Sequence, residues 1–234
     1  MAVPGKPKPA AAVAVAEVAA DTAVDMSPAF WDEACQHLAR RDRVMKKLMP
    51  RFGQGRLRSR GDAFTTLARS IVGQQISVKA AQTVWDRFTV AAGGEATRLA
   101  PEVLQSLPVP RMREAGLSQR KTEYLRDLAR HFNDGSAQLE AWPAMADEAI
   151  IAELISIRGI GRWTAEMFLI FHLMRPNVLP LDDLGLIKGI SLNYFSGEPV
   201  SRAEAREVGD AWAPFRSVAT WYIWRSLDPL PVEY

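Results

Sequence analysis

Cysteine is almost missing from this chain: Cys35 stands alone among 234 residues. One thiol excludes an internal disulfide and any zinc site or iron–sulfur cluster built from several thiolates, and it fits a reducing compartment such as the cytoplasm. No metal-ligand framework is visible in its place. Long apolar runs are lacking, and no stretch approaches the length of a membrane span, so no membrane role is expected. Strong net charge is lacking as well: +2 with a pI near 8.8 is too weak to name a polyanion as the partner. Convincing strand-type alternation is missing, which leaves an all-α fold. Apart from Met1 and Met26, residues 1–26 lack large apolar side chains and are mostly Ala, Val and Pro with a few charges. Such a segment cannot offset its ordering entropy, so a disordered N-terminal tail is expected. An export signal is the rival reading, because Lys6 and Lys8 precede an apolar run from Ala10 to Ala16. That run holds no Leu, Ile or Phe and ends at Glu17, which argues against export.

What is present is enough apolar material, 48% of the chain, for one globular domain over residues 27–234, built as two helical lobes with a central cleft. Charge is unevenly spread. Between Arg40 and Arg69 ten Lys or Arg (Arg40, Arg41, Arg43, Lys46, Lys47, Arg51, Arg56, Arg58, Arg60, Arg69) face two acids, Asp42 and Asp62. A phosphate-facing patch and a solvated helix face account for this equally well.

Helix start signals recur along the chain. Ser27-Pro28 reads as a cap with Pro at the first helical position, leading into Phe30, Trp31, Ala34 and Leu38. Asp62, Ser77 and Ser118 head further amphipathic segments, the last of them stopped by Asn133-Asp134-Gly135. Asp147 opens another, and Ser201 with Glu204 is a capping box. A strongly apolar helix is expected from about Trp163 to Met174, and a final one from near Pro214, carrying Trp221 and Trp224.

The most informative stretch is LISIRGIGRWTAEMFLIFHLMRPNVLPLDDLGLIKGI, Leu154 to Ile190. A helix, a Gly-Ile-Gly turn and a second helix form a hairpin whose glycines allow close backbone approach and whose free amides face outward at a helix N-terminus. Such a turn suits a phosphate, or it merely packs. Beyond it, in Leu179-Pro180-Leu181-Asp182-Asp183-Leu184-Gly185, a carboxylate stands at the start of the next helix, where either aspartate could serve as a cap.

This stretch, together with IVGQQISVKAA (Ile71 to Ala81), AGLSQRKTEYLRDLA (Ala115 to Ala129) and WAPFRSVATWYIWRSLD (Trp212 to Asp228), resembles the helix-hairpin-helix DNA glycosylase superfamily. Within it, the sequence is similar to the DNA-3-methyladenine glycosylase II group, over roughly residues 60 to 228. The resemblance implies a monofunctional base-excision repair enzyme that flips an alkylated base (3-methyladenine, 7-methylguanine type) out of double-stranded DNA and hydrolyses its N-glycosidic bond. It makes Asp183 the catalytic carboxylate, stabilising oxocarbenium character and orienting water. Trp163 and Trp224 match pocket aromatics of the family, with Trp221 and Phe64 as further substrate-binding candidates; indole faces suit a cationic base. A residue of Gln74-Gln75-Ile76 is expected to fill the gap in the base stack, Gln75 or Ile76 first, and Gly159, Gly161 and Thr164 to contact DNA at the hairpin. No cofactor is required. The resemblance further implies a structural Na+ or K+ held by the carbonyls of Ile155, Ile157 and Ile160.

Three departures qualify the match. Position 158 is Arg where many relatives have Pro. The nucleophilic lysine that strand-cleaving relatives carry just after the turn is replaced by Trp163, which excludes a Schiff base there. The N-terminal β-lobe of some relatives has no counterpart. A monomer is expected. Another base specificity within the superfamily, and a noncatalytic DNA-binding protein that uses the hairpin as a phosphate clip, are the alternatives.

Overall fold

The computed structural model of the chain describes residues 28–59, 61–93 and 99–227; the expected tail, Ser27 and Arg60 lie outside them. Among the described residues all regular structure is helical. In chain order the helices are α1 (Trp31–Arg41), α2 (Arg43–Leu48), α3 (Ala63–Gly73), α4 (Val78–Ala91), α5 (Pro101–Ser106) and α6 (Val109–Glu114). They continue with α7 (Gln119–Asn133), α8 (Asp147–Ile155), α9 (Arg162–Phe171), α10 (Leu184–Tyr194), α11 (Arg202–Asp210) and α12 (Arg216–Arg225). No helix is long and apolar enough to cross a membrane among the described residues.

The helices pack as two groups. Helices α3 to α9 form a central lobe, while α1 and α2 pack on α12, which pairs with α10, and α10 in turn carries α11, in a lobe made from both ends of the described chain. In the central lobe, Asp62 caps α3 by accepting the Thr65 N–H at 2.9 Å. The helical spacing then turns Phe64, Leu67, Ala68 and Ile71 inward. Each large apolar side chain buried this way contributes about 1.5–3 kcal/mol. In the other lobe Asp42 is the tie. Its Oδ1 caps α2 through the N–H groups of Val44 (2.7 Å) and Met45 (3.0 Å). Its Oδ2 accepts from the Tyr194 hydroxyl at 2.6 Å and from Trp212 Nε1 at 3.0 Å, which joins α2 to the end of α10 and the segment after α11.

Several boundaries differ from the sequence expectation. Pro28 is not the first helical residue: its carbonyl accepts the Trp31 N–H (2.9 Å) in a turn, and α1 begins at Trp31. The apolar helix α9 stops at Phe171, well before Met174, which adopts a left-handed φ of 53° that a helix cannot continue through. The last helix starts two residues after Pro214, at Arg216. Helices α2, α5 and α6, of six residues each, are too short to display a full apolar period.

Candidate active site and DNA-facing loops

The two lobes meet at the N-terminus of α10, where Asp183 is the N-cap. Its Oδ1 accepts the Leu186 N–H at 2.6 Å and the Trp224 indole N–H at 2.8 Å, and its Oδ2 accepts the Trp163 indole N–H at 2.9 Å. Three groups that can only donate therefore converge on one half-buried carboxyl, the pattern an ionised carboxylate makes. The positive end of the α10 dipole faces the same charge. Capping and presentation coexist because the backbone N–H and the two indoles hold the group while one side stays open to solvent. Gly185 makes room: a Cβ there would lie 3.0 Å from Asp183 Oδ1 and 3.3 Å from Trp224 Cδ1. The neighbour Asp182 is exposed and turns away to pair with Arg202 at 2.7 Å.

Trp163 and Trp224 thus sit at the carboxylate, and their indole N–H groups, which sequence reasoning left without a task, are aimed at it. Trp224 also stacks on Phe171, with ring centroids 5.6 Å apart and 12° between planes. The other two aromatic candidates are corrected by the structure. Phe64 is buried against Phe132 inside the central lobe (5.1 Å, 63°). Trp221 is buried edge-on to Trp31 (5.3 Å, 87°), with the Arg225 guanidinium over its ring. Both lie on the core face of their helices, so neither presents a surface on which a base could stack.

Between α8 and α9 lies the glycine turn. Gly159 has φ +89°, and a Cβ on it would overlap the Tyr124 ring of α7, so both conformation and space demand glycine. The first intrahelical bond of α9 runs from the Ala165 N–H to the Gly161 carbonyl (3.0 Å), which leaves the N–H groups of the first turn directed out of the helix end. The Thr164 side chain is buried, so what this residue offers at that end is its main chain. The Ile157 carbonyl already accepts the Ile160 N–H (3.1 Å), and both side chains are buried. A cation held by Ile155, Ile157 and Ile160 would therefore be bound by main-chain oxygens alone. Arg158, the departure from proline, is anchored twice: its N–H donates to Asp127 Oδ2 at 2.8 Å and its guanidinium pairs with Glu123 at 3.3 Å. Burial alone would raise the Asp127 carboxyl, but the Arg158 N–H and the Arg130 guanidinium outweigh it and hold the group below its ordinary value.

After α3 the chain turns sharply at Gln75, whose φ of +60° is unusual for a residue with a side chain and costs on the order of 1–3 kcal/mol. Gln75 and Ile76 are exposed at the tip. Gln74 is not: its side-chain amide donates to the Gly159 carbonyl at 2.9 Å, tying this loop to the hairpin. Lys121 Nζ donates to the carbonyls of Val72 and Gln74, both at 2.7 Å. The sequence showed Tyr124 only as a member of a helical motif and gave no sign that Lys121 holds these carbonyls.

A polar cavity of about 360 Å³ lies behind the 177–182 loop, lined among others by Arg162, Glu166, Asp182 and Arg202; Asp183 is not part of its wall. Burial pushes the Glu166 carboxyl up, against the neighbouring Arg162 guanidinium that draws it down, and its Oε2 has no hydrogen-bond partner. On α1, α2 and the following loop, Arg40, Arg41, Arg43, Lys46, Lys47, Arg51 and Arg58 are exposed, whereas Arg56 pairs with Asp32 and Arg69 turns to Gln82 and the Trp85 ring.

The chain is similar to known proteins over most of its length. The family model described as HhH-GPD superfamily base excision DNA repair protein matches residues 68–214. DNA-3-methyladenine glycosylase 1 of Schizosaccharomyces pombe is 31% identical over 195 residues, covering 81% of this chain and 85% of that protein. A Bacillus subtilis protein, named among the DNA-3-methyladenine glycosylases, is 34% identical over 169 residues; the match covers 70% of this chain and 59% of that protein's length. Among solved structures, the Schizosaccharomyces pombe 3-methyladenine DNA glycosylase in complex with abasic DNA superimposes with a TM-score of 0.74 at 29% identity, covering 86% of this chain and 100% of that one.

Proposed function

Because the chain belongs to the HhH-GPD superfamily of base excision DNA repair proteins, we propose that it is a monofunctional DNA glycosylase that hydrolyses the N-glycosidic bond of alkylated bases in duplex DNA. The observation that carries this reading is the Asp183 carboxylate held by Trp163, Trp224 and the Leu186 N–H at the junction of the lobes. A phosphate clip without chemistry needs no more than the cap at the Leu186 N–H, and the noncatalytic alternative leaves the two converging indole N–H groups unexplained.

In this account the hairpin amides grip a phosphate beside the target, the 74–76 loop enters the stack through Gln75 or Ile76, and the flipped nucleotide reaches Asp183. As the glycosidic bond breaks, positive charge develops on the sugar. The fixed carboxylate stabilises it without reorganising and orients the attacking water. An N3- or N7-alkylated purine already carries positive charge, leaves without prior protonation, and gains about 0.5–2 kcal/mol over an indole face. Any Na+ or K+ at the Ile155, Ile157 and Ile160 carbonyls would add positive charge beside the gripped phosphate. Every group required comes from one chain, in keeping with a monomer.

The test is incubation of the enzyme with duplex DNA carrying one N-methylated purine. Release of the free base from an otherwise intact strand, cut only after alkali and giving no borohydride-trapped complex, is the expected result. Lys121 is not free to substitute for the lysine missing at position 163, since its ammonium is engaged by the Val72 and Gln74 carbonyls. Efficient nicking with a trapped adduct would contradict the monofunctional assignment, and absence of base release would contradict the reading as a whole.

A further inference from the structure

Helix α7 touches both DNA-facing loops, and neither contact is explained by packing alone. Helix α3 ends at Gly73, and its last carbonyls lose their intrahelical partners because Gln74 and Gln75 leave the helical conformation (ψ 132° at Gln74, φ +60° at Gln75). From the first turn of α7, Lys121 supplies the missing donors to Val72 and Gln74. A cation at a helix C-terminus also opposes the dipole of α3. Its ammonium is partly buried to do so, and burial lowers its pKa. About one turn further along α7 Tyr124 seats Gly159, and about one turn beyond that Asp127 accepts the Arg158 N–H. These three α7 residues span about 9 Å of helix, and the Gln74–Gly159 bond closes the circuit between the two loops.

We infer that Lys121 is a positioning residue for duplex opening, which holds the 74–76 loop in its insertion geometry at a spacing from the hairpin that α7 fixes. The inference rests on the glycosylase reading. A loop ordered in advance does not have to lose its conformational freedom at the moment it replaces a base in the stack. Loss of the lysine should therefore slow the opening of paired DNA and spare the chemistry at Asp183, which Lys121 does not touch.

Lys121→Met keeps the aliphatic stem and removes the donors. Single-turnover base release from a fully paired methylated duplex should fall by roughly tenfold or more, while release of the same base from an unpaired bulge should stay within about threefold of the unmodified enzyme. Lys121→Arg should restore paired-duplex release. Gln74→Leu, which cuts the tie to the hairpin and leaves the lysine in place, should give the same split in smaller measure. Hydrogen exchange of amides 73–77 should speed up in Lys121→Met and recover in Lys121→Arg. Equal loss on both substrates, or no loss on paired duplex, overturns the inference. If the unmodified enzyme released no base from either substrate, the glycosylase reading would fail by itself; unchanged exchange at 73–77 in Lys121→Met would separately sink the positioning role.

Discussion

At Asp183 side chains do the positioning: one indole N–H from the central lobe and one from the terminal lobe converge on a single carboxylate. At the 74–76 and 157–161 loops the main chain is what is positioned, by carbonyls that accept Lys121 and Gln74 and a glycine seated on Tyr124. The contrast follows from the tasks proposed for each. Stabilising developing charge requires a charged group at a fixed point, which only a side chain supplies. Gripping a phosphate and entering a base stack require backbone shape, which other elements must hold in place.

If the hairpin depends on backbone shape, Gly159→Ala should be the most damaging change there. It combines the positive φ with overlap on Tyr124, and should cost about 2–4 kcal/mol of stability, a fall in Tm of roughly 5–15 °C by calorimetry. DNA affinity should drop with it. A neutral outcome would mean the turn can be built another way.

On the other side of the comparison, Trp224→Phe and Trp163→Phe each keep an aromatic ring and remove one N–H from Asp183. A hydrogen bond to a charged group contributes about 1.5–3 kcal/mol, so the single-turnover rate should fall roughly 10–100-fold each. Stability should fall by no more than that amount, and DNA affinity should change little. Loss of affinity instead of rate would make these rings base-binding surfaces first and carboxylate holders second.

Much of the carboxylate site was legible in the sequence because its parts are distinctive residue types: an aspartate at a helix start after a proline-bearing loop, and tryptophans at matching positions. What the types did not reveal was direction. Nothing in the sequence says that the indoles of Trp163 and Trp224 point their N–H groups at Asp183 while Trp221, three residues before Trp224, faces the core. The loops were legible only as motifs. Gly159 announced a turn, yet its seat on Tyr124, the Lys121 bridge and the engagement of Gln74 depend on α3, α7 and the hairpin meeting in space, and a carbonyl acceptor leaves no residue-type signal. The fold followed from capping residues and apolar periodicity wherever a helix had two turns or more, and failed at α2, α5 and α6, where it did not.

Smaller effects sharpen the same contrast. Asp182→Asn removes only a surface pair with Arg202, worth about 0–1 kcal/mol after solvent screening, and base release should stay within about threefold. An essential Asp182 would shift the chemistry by one residue. Least affected of all should be an enzyme with Arg40, Arg43, Lys46 and Lys47 changed to Ala. If these exposed cations lie on phosphate, binding weakens and its salt dependence flattens; an unchanged slope assigns them to a solvated face.

The central claim is that Asp183, as a fixed negative charge, performs the chemistry and is not merely a helix cap. Asp183→Asn preserves volume and an oxygen for the Leu186 N–H while removing the charge. Single-turnover release of a methylated base by this variant, at saturating enzyme and matched DNA occupancy, should fall by about a thousandfold or more. Release within about tenfold of the unmodified enzyme, with the fold and DNA binding intact, would contradict it.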